Sequence, residues 1–304
     1  IKRTLAILIS IGLLAWLAHS GDWHGVAVRL SHIPTTTLLL VVAGLASSYL
    51  FRAARIHDEF QDIADSHFWA IARITTAHNA AINVLPFRSG EAALPFLLQR
   101  SFGVPMTRAL VSLLWLRLQD AFVVLLIAAW VWPGLPLWLR LPWTLGVLLA
   151  AWAIPAWARA QSAGSAAASG SAGKLARLRV ALAHSSRGAW RSWGWTLANW
   201  SVKLAAQSLL LASLLGSGIG LAAAGVLGAE LAAILPVQGV AGFGTYEAGV
   251  AAALAPHGQN LAASLQAALA LHLIIIAVAV IAGAAGLALL PTGPAPHAET
   301  GKKP

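Results

Sequence analysis

The chain has 304 residues, 59% of them hydrophobic and only 10% charged, and carries a net charge of +10. A soluble domain holds roughly 25% charged residues, so water alone cannot solvate this surface and lipid must supply much of its surroundings. The absence of cysteine excludes disulfides, thiolate nucleophiles and sulfur metal sites, and the excess positive charge, which in a soluble protein would suggest nucleic acid, is read here by position.

An all-α, polytopic membrane protein is expected, because crossing hydrocarbon takes about 20 apolar residues in a helix. Six stretches read as full spans: 4–20, 35–51, 107–132, 143–158, 193–215 and 262–290. The first also resembles a signal peptide, with Ala18-His19-Ser20 as a weak cleavage-like site. It is read as an uncleaved span because the chain continues as a membrane protein. Lys and Arg are retained on the cytoplasmic side. An inside N-terminus places Lys2, Arg3, Arg52, Arg55, Arg159, Lys174, Arg177, Arg179, Arg187, Arg191, Lys302 and Lys303 there, and only Arg29 and Arg140 outside. Both termini are therefore expected in the cytoplasm, with the chain in the cell inner membrane. The loop 159–192 begins Ser/Ala/Gly-rich and ends basic, around Trp190. Positive-inside bias explains it better than a segment lying on the anionic leaflet. Residues 1–290 form a single transmembrane domain, and 291–304 read as a Pro-rich disordered tail.

Two stretches fit neither span nor loop. Residues 67–104 are apolar but interrupted by Pro86, Gly90, Pro95 and Gly103; residues 220–256 are interrupted by Pro236, Gly239, Gly242 and Gly244. Backbone broken at membrane depth survives only where protein or a wet cavity satisfies its freed amides and carbonyls. Each stretch is therefore expected to be a re-entrant, broken-helix pair. The breaks resemble one another: Leu85-Pro86-Phe87-Arg88-Ser89-Gly90-Glu91 ends on a glutamate after glycine. The run from Leu235-Pro236 through Gln238 and Gly239 to Gly242-Phe243-Gly244-Thr245-Tyr246-Glu247 does the same with a longer loop. Interrupted segments in corresponding halves point to a transporter's binding site, often within an inverted repeat.

Six basic residues remain inside apolar segments: Arg73, Arg88, Arg100, Arg108, Arg117 and Lys203. The acids Glu91, Asp120, Glu230 and Glu247 join them. Each costs about 2.5–3.5 kcal/mol at a helix centre, which implies pairing or a polar cavity. Arg117 and Asp120, three apart, share a face and can pair, either as a structural bridge or as a substrate gate. Asn199–Lys203–Gln207 and Thr75–Asn79–Asn83 form polar stripes of spacing four. Such stripes can glue helices together, but two aimed at the broken region favour a lined cavity. Arg88 could hold a phosphate through paired hydrogen bonds, helped by the amides of a helix starting near Gly90. Glu91 and Glu247 could cap helix starts, pair with Arg88 or Lys203, or carry a proton. Glu230 and His272 suit packing as well as proton handling. The predicted substrate-binding set also includes Gln238 and Tyr246 from the second break. His57-Asp58-Glu59 lacks metal-binding helical spacing and reads as a solvated loop, and no Walker-type phosphate loop is present. No cofactor, metal or catalytic residue is expected.

Asn79, Asn83, Leu85-Pro86-x-Arg88-x-Gly90-Glu91, Gly103, Arg117-x-x-Asp120, Pro236 and Gly242-Phe243-Gly244-x-x-Glu247 together resemble the flippase-like membrane domain of lysylphosphatidylglycerol synthases. Stand-alone relatives are associated with archaeal lipid-linked glycosylation and with hopanoid transport. The resemblance covers roughly residues 4–290 and implies movement of a lipid between leaflets rather than bond chemistry. Its cargo would be an anionic phospholipid, a polyprenyl-phosphate-linked lipid or a hopanoid. With no aminoacyl-transferase domain after residue 290, synthesis of an aminoacyl lipid is not expected. Members often carry Arg shortly after the Gly-Glu, where this chain has Ala92-Ala93-Leu94-Pro95, and Glu where it has Leu116. The alternatives are a scaffold that docks a lipid-modifying enzyme, or a membrane-embedded transferase using Glu91 or Asp120 as base.

Overall fold

A computed structural model describes residues 23–64, 67–165, 183, 189–233 and 240–289, without the side chains of 64, 86–88, 161–165, 189 and 240. The expected first span, most of the basic loop, the C-terminal tail and Gln238 lie outside the described residues, as does the side chain of Arg88. What is described is all-α, as expected. In chain order the helices are α1 (Trp23–Ser31), α2 (Thr35–Glu59), α3 (Gln61–Ala64), α4 (Phe68–Val84), α5 (Ala93–Phe102), α6 (Met106–Val131) and α7 (Leu137–Ser165). They continue as α8 (Ala189–Leu215), α9 (Ile219–Ala232), α10 (Thr245–Leu254) and α11 (Leu261–Ala288). Short 3-10 turns at Pro86–Ala92 and Val240–Gly242 sit inside the two breaks.

By length and composition α2, α6, α7 and α11 can each cross a membrane. Helix α8 passes the same test only together with α9, from which it is bent by 115°. The described part of the chain thus offers four spans, or five with the bent pair. Helix α7 packs mainly on α6 and buries almost none of its surface. Exposed Trp138 and Trp143 mark one end of it, and exposed Trp152 and Trp157 the other. Trp138 and Trp157 are nineteen positions apart, roughly 28 Å along a helix, which matches hydrocarbon thickness and the aromatic belts that flank it.

The two halves are built alike: a long helix, a broken pair, then another long helix. The order α2, α4–α5, α6 is repeated by α8, α9–α10, α11. Contacts follow the same rule. Helices α2 and α8 pack together, α4 packs on α11 and α9 on α6, and the two 3-10 turns meet.

Small residues set the closest approaches, as in other membrane helix pairs. A Cβ added at Gly249 would lie 2.6 Å from the Gly228 carbonyl oxygen. Gly225 faces Leu254, Gly228 faces Gly249 and Ala253, and Ala232 faces Gly249; this descending register makes α9–α10 an antiparallel hairpin. On the other side Gly283 and Gly286 of α11 let Ala80 and Thr76 of α4 approach. Gly90 is required in the first break because a Cβ there would collide with the Ala81 carbonyl.

The structure corrects three expectations. The second span runs to Glu59 rather than ending at Phe51. Arg55 is therefore no loop residue; it is 2% exposed, and Arg52 faces the interior. Removing both from the loop count leaves ten basic residues against two. His57-Asp58-Glu59 closes α2 instead of forming a solvated loop: Asp58 accepts the Trp195 Nε1 hydrogen at 2.8 Å, and Glu59 that of the Ser112 hydroxyl at 2.6 Å. Finally, Arg73, Arg100 and Arg108 are not buried charges. Arg100 is exposed, Arg108 forms an exposed two-pronged pair with Asp62, and Arg73 donates to the Leu289 carbonyl at the end of α11.

Candidate functional site

Where the two halves meet, a cavity of about 310 Å³ opens inside the bundle. Each wall follows from a pattern in the sequence. Helix α4 presents Asn79 and Asn83, and α8 presents Asn199, Lys203 and Gln207, so both polar stripes line it. Thr75 does not reach the cavity; its hydroxyl donates back to the Ile71 carbonyl. Helix α6 contributes Arg117 and Asp120, and the first break contributes Glu91. The second break supplies Ala241, Gly242, Thr245 and Tyr246. Nine predicted residues thus converge: Asn79, Asn83, Glu91, Arg117, Asp120, Asn199, Lys203, Gln207 and Tyr246. Glu247 stands one layer behind the wall.

The charges divide into two clusters. In the first, Asp120 is the hub. Arg55 grips it through two hydrogen bonds, Nη1 to Oδ1 at 2.7 Å and Nη2 to Oδ2 at 3.3 Å. Arg117 Nη1 donates to Oδ2 at 3.2 Å, and Trp200 Nε1 to Oδ1 at 2.9 Å. Arg117 also donates to Glu91 Oε2 from Nη2 at 2.8 Å and from Nε at 3.1 Å, with His78 3.6 Å beyond. The predicted Arg117–Asp120 pair exists, but it is the weaker of the contacts made by either partner. Leu116, where relatives often carry Glu, packs in an apolar cluster with Ile56 and Leu98, away from the cavity.

In the second cluster Lys203 Nζ lies 2.7 Å from Glu230 Oε1 and over the Trp200 ring at 4.4 Å. Gln207 donates to the same glutamate oxygen at 3.1 Å. Glu247 does two things at once. Its Oε2 accepts the Gly244 amide hydrogen at 2.7 Å, capping α10, one of the roles expected of it, while Oε1 meets His272 Nδ1 at 2.7 Å. The turn before it is tight: Gly242 and Gly244 have φ of 81° and 84°, and Ala241 takes φ 53° without being glycine. Such a residue is strained by about 1–3 kcal/mol and such strain gathers at functional sites.

Arg52 is the residue that sequence reasoning misplaced most. It lines the cavity beside Tyr49, donates to Asn79 Oδ1 at 3.0 Å, and has no carboxylate within ion-pair distance among the described residues. Arg55, Glu230 and His272 were likewise left out of the predicted set. The available signal was spacing: Ser48, Arg52 and Arg55 continue one face of α2 past Leu45.

Fold and cavity define the class, a multi-pass α-helical membrane protein with a charged internal cavity between two broken-helix halves. The family follows from comparison with known proteins. The chain matches the family model described as the lysylphosphatidylglycerol synthase TM region over residues 3–283, and it belongs to that family. No curated protein and no solved structure matches the chain. It is accordingly a lipid-related membrane protein.

Proposed function

We propose that this chain is a lipid translocase, moving an anionic or phosphate-bearing lipid between the leaflets of the cytoplasmic membrane without making or breaking bonds in it. One observation carries the reading: Arg52 presents a guanidinium to a cavity walled by both breaks, with the Asn79 side-chain oxygen as its only hydrogen-bond partner among the described residues. A planar guanidinium binds phosphate through two parallel hydrogen bonds. A head group held there would cross in a protein-lined groove while its acyl chains stay in lipid, and rocking of the two halves would expose the groove alternately. Arg88, on the turn leading to Glu91, is a second anion ligand in this proposal, and Gln238 a polar contact from the other break. Of the cargoes that the resemblance implies, an anionic phospholipid or a polyprenyl-phosphate-linked lipid fits this guanidinium and a hopanoid without a phosphate does not; the termini lie in the cytoplasm. A transferase reading is disfavoured because both candidate bases, Glu91 and Asp120, are already bound to guanidiniums.

The test uses proteoliposomes carrying a fluorescent anionic lipid, with leaflet accessibility followed by an impermeant quencher. Wild type should equilibrate the lipid. Arg52→Ala should slow it at least tenfold and Arg52→Lys less, with both folded. If wild type moves no phosphate-bearing lipid, or Arg52→Ala moves it equally fast, the translocase reading gives way to a scaffold that docks a lipid-modifying enzyme.

A further inference from the structure

Each break delivers a glutamate to a buried histidine: Glu91 stands 3.6 Å from His78 Nε2, and Glu247 2.7 Å from His272 Nδ1. The two pairs differ in what surrounds them. Glu91 is already held by Arg117, and Arg52 and Arg117 both act on His78. No Lys or Arg among the described residues comes within ion-pair distance of Glu247 or His272. The first pair is locked by guanidiniums; the second meets none among the described residues.

We propose that the Glu247–His272 pair is a proton-binding site linked to the anionic head group, so that proton and lipid bind the cavity together. This rests on the translocase reading and supplies its ion coupling. With one proton on Nδ1, a neutral His272 donates to ionised Glu247 and the pair carries one negative charge. A proton from water entering the cavity adds at Nε2, giving an imidazolium beside a carboxylate and a neutral pair. The second nitrogen is available for it. His272 lines the cavity, and Nε2 makes no hydrogen bond among the described residues; the ring is held by stacking on Tyr246 at 4.4 Å and by Phe243 at 4.8 Å.

The charge balance gives the link its sign. Arg52, Arg55, Arg117 and Lys203 in and behind the wall are matched by Glu91, Asp120, Glu230 and Glu247. With neutral histidines these eight described groups sum to zero, and an anionic head group adds negative charge beside the pair. Whatever else compensates it, that charge favours the protonated imidazole of His272. The groups facing the pair are consistent with a path to it. Tyr246, on the same helix as Glu247, lies within electrostatic reach of Glu230 of α9 and of Glu247, and Lys203 of α8 neutralises that Glu230. Among the described residues the Tyr246 hydroxyl and Gln207 Oε1 are buried without hydrogen-bond partners, two polar atoms on the wall able to hold water near the pair. From α4, Asn79 lines the cavity and the buried His78 stands 3.6 Å from Glu91. The other charged contacts of α11, Arg29 to Gln266 and Arg73 to Leu289, lie at separate positions along the helix.

Linkage between two ligands is reciprocal, which makes the proposal testable without any transport. The purified full chain in weakly buffered detergent is titrated with phosphatidylglycerol and, separately, phosphatidylcholine, while a pH indicator reports proton uptake. Phosphatidylglycerol binding should take up close to one proton near neutral pH and should tighten severalfold on acidification; phosphatidylcholine should do neither. His272→Gln should lose both effects, whereas His78→Gln should retain them. Should His272→Gln fail to fold, Glu247→Gln replaces it, with imidazole NMR of the wild type identifying the ring that titrates. Binding that is independent of pH, or unchanged uptake in His272→Gln, overturns the coupling and leaves the translocase reading standing. Proton-linked binding in a protein that moves no lipid between leaflets supports the site and overturns translocation alone.

Discussion

Asp120→Leu removes the hub of the first charge cluster, and its cost can be worked from the contacts. Arg55 is 2% exposed and points two hydrogen bonds at this carboxylate, so the substitution leaves a guanidinium buried with only the Thr196 hydroxyl at 2.9 Å. Stranding one partner of a buried ion pair costs about 3–5 kcal/mol. Arg117 adds little to the loss because Glu91 still holds it. The Trp200 N–H, which also donates to Asp120, adds about 1 kcal/mol. Replacing both members of a buried pair with apolar residues is often neutral or stabilising, so Arg55→Met with Asp120→Leu should recover most of the loss. Reversible unfolding in mixed micelles by dodecyl sulfate titration, followed by tryptophan fluorescence, gives the three free energies. A single variant within about 1 kcal/mol of wild type would refute the reasoning, as would a double variant no better than the single.

Two further outcomes follow from the same contacts. Gly228→Leu should prevent assembly, because its side chain has no room against the Gly249 carbonyl and Ala253, and loss of the monodisperse folded peak on gel filtration would show it; Gly220→Leu, with nothing within 4 Å of its added Cβ, should be tolerated. Cysteines beside Arg140 and at Lys302 should label oppositely with an impermeant thiol reagent in intact cells, the first reacting and the second protected.

The breaks were legible because proline and glycine interrupt apolar runs at positions where a span cannot spare them: α4 ends just before Pro86, α5 ends at Gly103 and α10 starts after Gly244. The polar stripes were legible for the same kind of reason: Asn, Lys and Gln four apart on an apolar helix must face something wet. What the sequence concealed was partner choice. Arg55 and Arg52 follow an apolar run and look like the cytoplasmic flank of a span, since nothing local reveals that Asp120, 65 positions away, is waiting for one of them. For that reason a paired replacement of Arg117 and Asp120 is not a matched exchange; it would strand Arg55 and take from Glu91 the guanidinium of Arg117. The matched partner of Asp120 is Arg55.

The two halves, built on one plan, are held with unequal strength, and this bears on which of them can move. In the first, three carboxylate–guanidinium contacts run without interruption from Arg55 through Asp120 and Arg117 to Glu91, and forked geometry makes such contacts both strong and directional. In the second, a single ammonium meets Glu230 and a histidine meets Glu247, while the Tyr246 hydroxyl and Gln207 Oε1 have no hydrogen-bond partner among the described residues. The turn that joins α9 to α10 also holds Ala241 in a conformation that alanine seldom adopts. Contacts that are few and single-pronged are those that a ligand of modest differential affinity can rearrange. In the translocase reading, then, the first half is the frame that holds the phosphate through Arg52, and the hairpin of the second half is the part that shifts around it.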